Sequence, residues 1–181
     1  IAGDPCANAK TLILITKQPI TDCWYKGSAD LAARQYQKIG IYHPNKLGFM
    51  EEKESRYQRL LPQAVALIDA SRDLIADMAN LSALLHREMG WWWTGFYRVE
   101  GQDLILGPFQ GPVACTVIPF GKGVCGSAWA EGRTLLVPDV DAFPGHIACS
   151  SESRSEIVVP VRQGGRVIAV LDIDSRDPGC F

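Results

Sequence analysis

The chain has 181 residues, of which 47 % are hydrophobic and 21 % are charged, a composition typical of a globular domain that excludes disorder as the dominant state. Its formal net charge is −2 and no basic stripe runs along it, so nucleic acid and anionic membranes are poor candidates as partners. No apolar run approaches the roughly 20 residues that cross a bilayer, so a membrane protein is not expected.

The first 48 residues differ from the rest and are predicted to be an N-terminal extension of unknown role. Within them, residues 11–16 are compatible with a short strand and residues 30–39 with a short helix, and glycines and prolines interrupt the stretch. We therefore predict one domain over residues 49–181.

Two helices are predicted at the start of this domain. Apolar residues recur at helical spacing over 51–68, with Pro62 either opening the helix or kinking it. A second apolar stripe covers 74–85, for which Ser71 is the expected N-cap and Gly90 the expected end.

The hydrophobic period then changes to that of strands. We predict a short helix over 124–131 and strands over 91–99, 103–109, 114–118, 134–137, 157–162 and 166–173. Turns at Gly101-Gln102 and Gly164-Gly165 join neighbouring strands as antiparallel hairpins. With the long helices grouped at the start, this order predicts an α+β fold in which N-terminal helices pack on one face of an antiparallel sheet.

Six cysteines, at positions 6, 23, 115, 125, 149 and 180, are many for this length. The chain is long enough to form a core without disulfide bridges, and no signal segment opens it. We therefore expect a reducing, cytoplasmic compartment, in which surplus cysteines indicate reactivity or metal binding.

Cys115, Cys125 and Cys149 fall in the strand-rich part of the chain. Cys149 lies in a long polar connection three residues after His146, and such a thiol can be kept partly as the nucleophilic thiolate. Cys115, if close in space, would complete the usual pair of a redox relay. Two alternatives stay open: simple burial of small apolar side chains, or a zinc site of the Cys3His type formed by these three cysteines and the histidine.

Three acids form a second candidate cluster. Asp172 and Asp174 should share one face of the last strand with Ile168 and Val170, and Glu156 precedes the partner strand. Gathered at one end of the sheet, the acids would bind an ammonium group, and burial with mutual repulsion would keep one of them protonated as a proton donor. The alternative is that the two aspartates are solvent-exposed residues at the end of an apolar strand and do not line a pocket.

Consecutive tryptophans open the first predicted strand. If the strand period holds there, Trp91 and Trp93 point to one face and Trp92 to the other. Trp93 then shares its face with Gly95 and Tyr97, and the glycine leaves room between two rings. This arrangement predicts an aromatic box for a small apolar or sulfur-containing group, with core packing as the alternative.

Several motifs occur in order along the domain: Trp93-Thr-Gly-Phe-Tyr97, Leu106-Gly-Pro-Phe-Gln-Gly111, Gly121-Lys-Gly-Val-Cys-Gly126, the segment from Asp141 to Cys149, Ser155-Glu-Ile-Val-Val-Pro160 and Val170-Leu-Asp-Ile-Asp-Ser175. Together they resemble the free methionine-(R)-sulfoxide reductases, which are single GAF-domain enzymes. The resemblance extends over roughly residues 52–175 and implies a GAF-like fold.

For the cysteines, the resemblance implies catalytic roles. Cys149 matches the catalytic cysteine, Cys115 the resolving cysteine that forms a disulfide with it, and Cys125 an auxiliary cysteine. The implied reaction reduces free L-methionine-(R)-sulfoxide to methionine through a sulfenic acid and then the disulfide. A thioredoxin-type protein would restore the thiols, and no bound cofactor or metal is implied.

For the acids and aromatic residues, the resemblance implies substrate contacts. Glu156, Asp172 and Asp174 match acids that bind the substrate amino group and assist proton transfer. Trp93 and Tyr97 match rings around the substrate methyl group and side chain. Peptide-bound methionine sulfoxide lacks the charges of the free amino acid, so it should be a poor substrate.

Two features depart from the family pattern. Members usually continue after the Asp-Ile-Asp-Ser motif into an acidic C-terminal helix, which we expect to be missing here, and residues 1–48 have no counterpart. A homodimer is compatible with the sequence. A non-catalytic GAF module that binds a small ligand or senses oxidation, and a structural zinc domain, remain as alternative functions.

Overall fold

The computed structural model describes residues 44–70, 73–147 and 149–181. The elements predicted at 11–16 and 30–39 lie outside the described residues. The described part forms one six-stranded antiparallel sheet, with two long helices on one face and a short helix on the other. The predicted α+β fold, with N-terminal helices on one face of the sheet, is confirmed.

Helix α1 spans Pro44–Ala70, so it begins before the apolar pattern does and continues across the boundary placed between residues 48 and 49. Pro62 lies inside the helix and does not open it. Leu60, Ala64 and Ile68 are buried at helical spacing and pack against the sheet. No helix in the described ranges combines the length and apolar character that a bilayer crossing requires.

Helix α2 spans Leu74–Met89, and its N-cap is Asp73. The aspartate side chain accepts a hydrogen bond of 2.9 Å from the backbone N–H of Ala76. The expectation that Ser71 caps this helix is therefore wrong. Asp73 directly precedes the first helical turn, and its carboxylate accepts the capping hydrogen bond. Gly90 ends the helix in the left-handed conformation, with φ of 70°, as predicted.

The sheet consists of β1 (Trp93–Glu100), β2 (Asp103–Gln110), β3 (Val117–Pro119), β4 (Leu135–Val137), β5 (Ser155–Gln163) and β6 (Arg166–Ser175). Their spatial order is β3-β2-β1-β6-β5-β4, and all neighbours are antiparallel. Both predicted hairpin turns are present. After β6, residues 176–181 form turns and no helix.

Each face of the sheet has its own core. The helix-side cluster packs α1 and α2 on the sheet through Leu60, Ala64, Ile68, Met78, Leu81, Leu84, Trp91, Phe96, Val159, Val161, Ala169, Leu171 and Ile173. The site-side cluster packs helix α3 (Gly123–Glu131) and a turn of 3-10 helix (Val140–Ala142) on the opposite face. Its members are Trp93, Tyr97, Leu104, Ile118, Val124, Cys125, Ala128, Leu135, Val137, Val140, Val158 and Val170.

The tryptophans do not alternate as predicted. β1 begins at Trp93, so Trp91 and Trp92 precede the strand and its period does not govern them. Trp91 lies in the helix-side cluster, whereas Trp92 packs beside Trp93 against the site-side cluster. The prediction that Trp91 and Trp93 share a face is therefore wrong.

Ile168 also does not lie on the face of the sheet predicted for it. The pairing of β5 with β6 shifts register there, with Val161 opposite Ala169 and Arg162 opposite Val167. Such an irregularity breaks the alternation of side chains along a strand. Ile168 consequently packs on the helix-side cluster, away from Val170.

Candidate active site

The register of the central strands brings the predicted acids together. Glu156 on β5 lies directly opposite Asp174 on β6, and Asp174 lies opposite Trp93 on β1. Asp172, two residues along β6, lies opposite Gly95. Directly opposite residues in antiparallel strands point to the same face, so these side chains all point toward the site-side cluster.

A cavity of about 550 Å³, part of it open to solvent, lies at this end of the sheet. Among its lining residues are Trp93, Tyr97, Cys125, Cys149, Glu156, Asp172 and Asp174. The structure therefore gathers seven of the eight predicted site residues around one cavity, and the eighth, Cys115, is bonded to one of them.

Cys115 and Cys149 form a disulfide across 34 positions of sequence, with their Cα atoms 5.3 Å apart. Cys149 lies in the long connection before β5. Cys115 lies in irregular chain, because β3 begins only at Val117; the strand predicted over 114–118 is shifted toward the C-terminus. Both cysteines are half-buried, so their sulfur atoms lie at the cavity but near the surface.

The disulfide argues against the Cys3His zinc site. Zinc binds thiolates, and Cys115 and Cys149 are bonded to each other instead. A smaller group remains, because the Cys125 sulfur and one carboxylate oxygen each from Glu156 and Asp172 lie within 4.8 Å of one another. All three side chains are buried, so this group can hold a cation, and an ammonium group fits the same charges.

Burial and mutual repulsion raise the pKa values of the acids. Burial raises the pKa of Glu156 well above its ordinary value, and the charges of Asp172 and Asp174 add to this. The pKa of Asp172 is also raised, first by burial and then by the charge of Asp174. Burial raises the pKa of Asp174 to about 6, against a hydrogen bond from the Ser153 hydroxyl that lowers it. These shifts favour a proton shared within the cluster at pH values where isolated carboxyl groups are ionised.

Cys125 is a buried thiol whose sulfur donates a long hydrogen bond of 3.9 Å to Oε1 of Glu156. Burial raises its pKa, and the negative charges of Asp172 and Glu156 raise it further. A thiol in these surroundings stays neutral, so it serves as a donor to the acid cluster and is unsuited to be the nucleophile.

The rings of Trp93 and Tyr97 line the cavity, and Phe109 packs on Trp93 beside it. The Trp93 ring stacks between Phe109, with centroids 5.3 Å apart, and Tyr97, with centroids 6.0 Å apart. A Cβ atom added at Gly95 would lie 2.4 Å from Cβ of Phe109 and 2.5 Å from the Trp93 ring. Gly95 therefore makes room for the Trp93 ring, as predicted, but its other near neighbour is Phe109, whereas the prediction named Tyr97.

The same rings also hold the segment that carries Cys115. The Tyr97 hydroxyl donates a hydrogen bond of 3.0 Å to the carbonyl oxygen of Cys115. The Trp93 indole N–H donates one of 3.0 Å to the carbonyl oxygen of Pro112. Burial raises the pKa of Tyr97, and the nearby Asp172 adds to this, so the hydroxyl remains a donor. The aromatic wall thus fixes one end of the disulfide.

Sequence reasoning missed some of the residues around the cavity and misplaced others. Ser153 donates a hydrogen bond to Asp174, yet nothing distinguishes it from the other serines in its loop. Trp92 lines the cavity, with the Arg176 guanidinium 3.4 Å from its ring centroid. His146, expected beside Cys149, also lines it, with Nε2 3.9 Å from Oε2 of Glu156.

Comparison with known proteins places this site in a family. A family model described as GAF domain matches residues 73–181. The free methionine-R-sulfoxide reductase of Saccharomyces cerevisiae is 40% identical over 149 residues, which cover 76% of this chain and 83% of that protein. The Escherichia coli protein of the same name is 47% identical over 117 residues, covering 64% and 71% respectively.

A solved structure agrees with these relatives. The free methionine-R-sulfoxide reductase from Neisseria meningitidis, solved in complex with its substrate, is 55% identical to this chain. The match covers 66% of this chain and 73% of that one, with a TM-score of 0.65. The chain therefore belongs to the GAF-domain family and, within it, to the free methionine-R-sulfoxide reductases.

Proposed function

We propose that this chain reduces free L-methionine-(R)-sulfoxide to L-methionine, with Cys149 as the nucleophile. The observation that carries the proposal is the disulfide between Cys115 and Cys149, placed beside a cavity lined by acids and aromatic rings. Relatives whose names give this activity support the substrate. A GAF module that only binds a ligand would have no need of two cysteines at the ligand cavity.

Recognition of the free amino acid follows from the lining of the cavity. The carboxylates of the buried Glu156 and Asp172 and of the half-buried Asp174 attract the ammonium group of the substrate. Trp93 and Tyr97 line the cavity, and the exposed parts of their rings provide apolar contacts for the methyl group and the sulfur atom. A residue within a peptide has no ammonium group at this position, so the same cluster excludes it.

In the first step, the thiolate of reduced Cys149 attacks the sulfoxide sulfur. A protonated acid of the cluster transfers its proton to the sulfoxide oxygen, and the raised pKa values of Glu156 and Asp172 support this role at neutral pH. The sulfur–oxygen bond of the substrate then breaks, the oxygen passes with its proton to the Cys149 sulfur, and the bond formed between the two sulfur atoms breaks. Methionine leaves with two more electrons than the sulfoxide had, and Cys149 is left as a sulfenic acid.

In the second step, the Cys115 thiol attacks the sulfenic acid sulfur and water leaves. The product is the disulfide present in this structure. Tyr97 has a positioning role here, because its hydroxyl holds the carbonyl oxygen of Cys115. Cys125 acts as an auxiliary residue that holds Glu156 through its neutral thiol.

We infer that a thioredoxin-type protein closes the cycle by reducing the disulfide, and the need for such a partner favours the reducing cytoplasm as the compartment. Thiols supply both electrons, so the reaction requires no bound cofactor.

The direct test supplies thioredoxin, thioredoxin reductase and NADPH together with separated R and S isomers of free methionine sulfoxide. We expect NADPH oxidation with the R isomer and at least about a 100-fold lower kcat/KM with the S isomer and with an N-acetylated, C-amidated sulfoxide. Binding of the R isomer without formation of methionine would instead support a ligand-binding or sensing module.

The role of Cys115 has a separate signature. With Cys115→Ser, we expect one equivalent of methionine per enzyme in a rapid first turnover, and then little further product in the thioredoxin assay. Cys149 should accumulate as a sulfenic acid that reacts with dimedone and is detected by mass spectrometry. Undiminished multiple turnover with thioredoxin would show that Cys115 is not the resolving residue.

A further inference from the structure

Three buried side chains that can bind a metal ion meet at the wall of the cavity. Cys125 comes from the first turn of α3, Glu156 from the start of β5 and Asp172 from β6. The Cys125 sulfur and one carboxylate oxygen from each acid lie within 4.8 Å of one another. The three residues are 3%, 6% and 7% exposed, so protein surrounds the group on most sides. We refer to Cys125, Glu156 and Asp172 as the buried triad.

The protein itself does not satisfy all the acceptor atoms of the triad. Oδ1 of Asp172 is buried and has no hydrogen-bond partner in the described part of the chain. The described residues that line the cavity include no lysine or arginine, so no permanent positive charge compensates the acids there. A buried carboxylate oxygen without a partner is costly and therefore indicates a missing ligand. The charge of the triad indicates that this ligand is a cation.

The distances within the triad approach those of a metal site. Bonds of about 2.0–2.3 Å in a tetrahedral zinc site place the ligand atoms about 3.3–3.8 Å from one another. The Cys125 sulfur already lies 3.9 Å from Oε1 of Glu156. His146 is a neighbour of the triad, with Nε2 3.9 Å from Oε2 of Glu156, and can provide a fourth ligand. The three elements that carry the triad thus need only small shifts to enclose an ion.

The sulfur atom selects the kind of cation. Mg²⁺ and Ca²⁺ prefer sites made of oxygen ligands, whereas Zn²⁺ and Cd²⁺ bind thiolates. Binding replaces the proton of the Cys125 thiol, which passes to solvent. Cys115 and Cys149 take no part, because they are bonded to each other. The triad is therefore a different site from the Cys3His arrangement considered above.

We propose that the buried triad binds a divalent cation of the zinc group, Zn²⁺ or Cd²⁺, and that the bound ion excludes the substrate. The second part rests on the proposed function, which places the ammonium group of the substrate at the same carboxylates. A divalent ion carries twice the charge of the ammonium group and also bonds to the Cys125 sulfur, so it should bind there more tightly. Zn²⁺ then acts as an inhibitor that competes with methionine sulfoxide and is not needed for the reaction.

The test titrates the oxidised full-length chain with Cd²⁺, whose bond to a thiolate produces an ultraviolet absorption band. The background is the variant Cys6→Ser, Cys23→Ser, Cys180→Ser, which leaves Cys125 as the one cysteine outside the disulfide. We expect one equivalent of Cd²⁺ to produce the band. Zn²⁺ should displace the Cd²⁺ and abolish the band, whereas Mg²⁺ in large excess should not.

Variants of the triad separate a built site from a single reactive sulfur. In this background, Cys125→Ser should lose the band, and Asp172→Asn, which keeps the thiol, should bind Cd²⁺ at least about tenfold more weakly. Loss of an outer partner of a metal ligand already costs about 10- to 100-fold in affinity, so loss of a ligand should cost no less. Asp141→Asn is the matched control, because it removes an exposed carboxylate outside the cavity and should leave the affinity unchanged.

The excluding effect is measured by adding free methionine-(R)-sulfoxide, which should raise the apparent Kd for Cd²⁺. The binding site is overturned if the background shows no band, if the band persists in Cys125→Ser, or if Asp172→Asn binds Cd²⁺ as tightly as its parent. Binding of Cd²⁺ that saturating sulfoxide does not weaken would overturn the exclusion of substrate. Failure of the proposed function is distinguishable, because it appears as absence of methionine formation in the thioredoxin assay and leaves the cadmium titration unchanged.

Discussion

Replacement of Cys149 by serine is expected to abolish reduction of methionine sulfoxide, with kcat/KM falling by at least about 1,000-fold. Serine has nearly the same size, but its hydroxyl remains protonated at neutral pH and oxygen is a weak nucleophile toward sulfur. Methionine released from the R sulfoxide, separated by chromatography and followed over many turnovers, provides the measurement.

The same variant separates chemistry from recognition. Its acids and rings are intact, so calorimetry should show that Cys149→Ser still binds the free R sulfoxide. Cys180→Ser is the matched control, because Cys180 is a thiol outside any disulfide that packs against the helix-side cluster, and its activity should stay within about twofold of wild type. Full activity in Cys149→Ser would leave the assignment of Cys149 as the nucleophile untenable.

The acid cluster is the part of the site that sequence reasoning predicts best. Asp172 and Asp174 lie two residues apart on a strand, so their shared face follows from the backbone alone. The hairpin turn at Gly164-Gly165 pairs Gln163 with Arg166, and regular pairing counted from there would put Glu156 opposite Ile173. The register shift between Val161 and Arg162 puts Glu156 opposite Asp174 instead, so only the shared face of the two aspartates follows from the sequence alone.

The tryptophans and Ile168 show where the same reasoning fails. Alternation applies only between residues inside a regular strand, and neither the exact start of β1 nor the register shift beside Ile168 has a local sequence signal. Trp92 consequently joins the cavity wall against prediction. Alternation does not apply to a residue outside the strand, and a register shift of one residue reverses the predicted face of every side chain beyond it.

Contacts made by loops are beyond sequence reasoning for a different reason. The pairing of Cys115 with Cys149 entered through resemblance to a family, because spacing alone allows several partners for each cysteine. The hydrogen bond from Tyr97 to the carbonyl oxygen of Cys115 and the one from Ser153 to Asp174 join groups distant in sequence. The sequence around the donor does not indicate which acceptor it will meet, because only the folded chain brings the two groups together.

The second large effect concerns Asp172→Asn, which should lower activity while it raises stability. Loss of the carboxylate removes part of the ammonium site and a proton-carrying group, so kcat/KM should fall by at least about 100-fold. Asparagine has the same shape and requires no ionisation. Its burial therefore avoids the repulsion among Glu156, Asp172 and Asp174 that raises their pKa values.

The gain in stability should depend on pH with a defined sign. The native state raises the pKa of Asp172, so between its ordinary value of 3.8 and its raised native value the unfolded chain binds fewer protons than the folded one. The free energy of unfolding of wild type then falls as pH rises through that interval, and the loss is largest above it. Asp172→Asn lacks this contribution, so its unfolding free energy should depend less on pH.

Thermal unfolding at several pH values measures this difference. At pH 8 we expect Asp172→Asn to unfold about 3–8 °C above wild type, whereas at pH 4 the two should agree within about 1 °C. Asp141→Asn is the matched control, because the side chain of Asp141 is 74% exposed, and its Tm should follow wild type at each pH. A lower Tm for Asp172→Asn at pH 8 would show that the carboxylate stabilises the fold, and hence that the cluster does not keep the proton needed to protonate the sulfoxide oxygen.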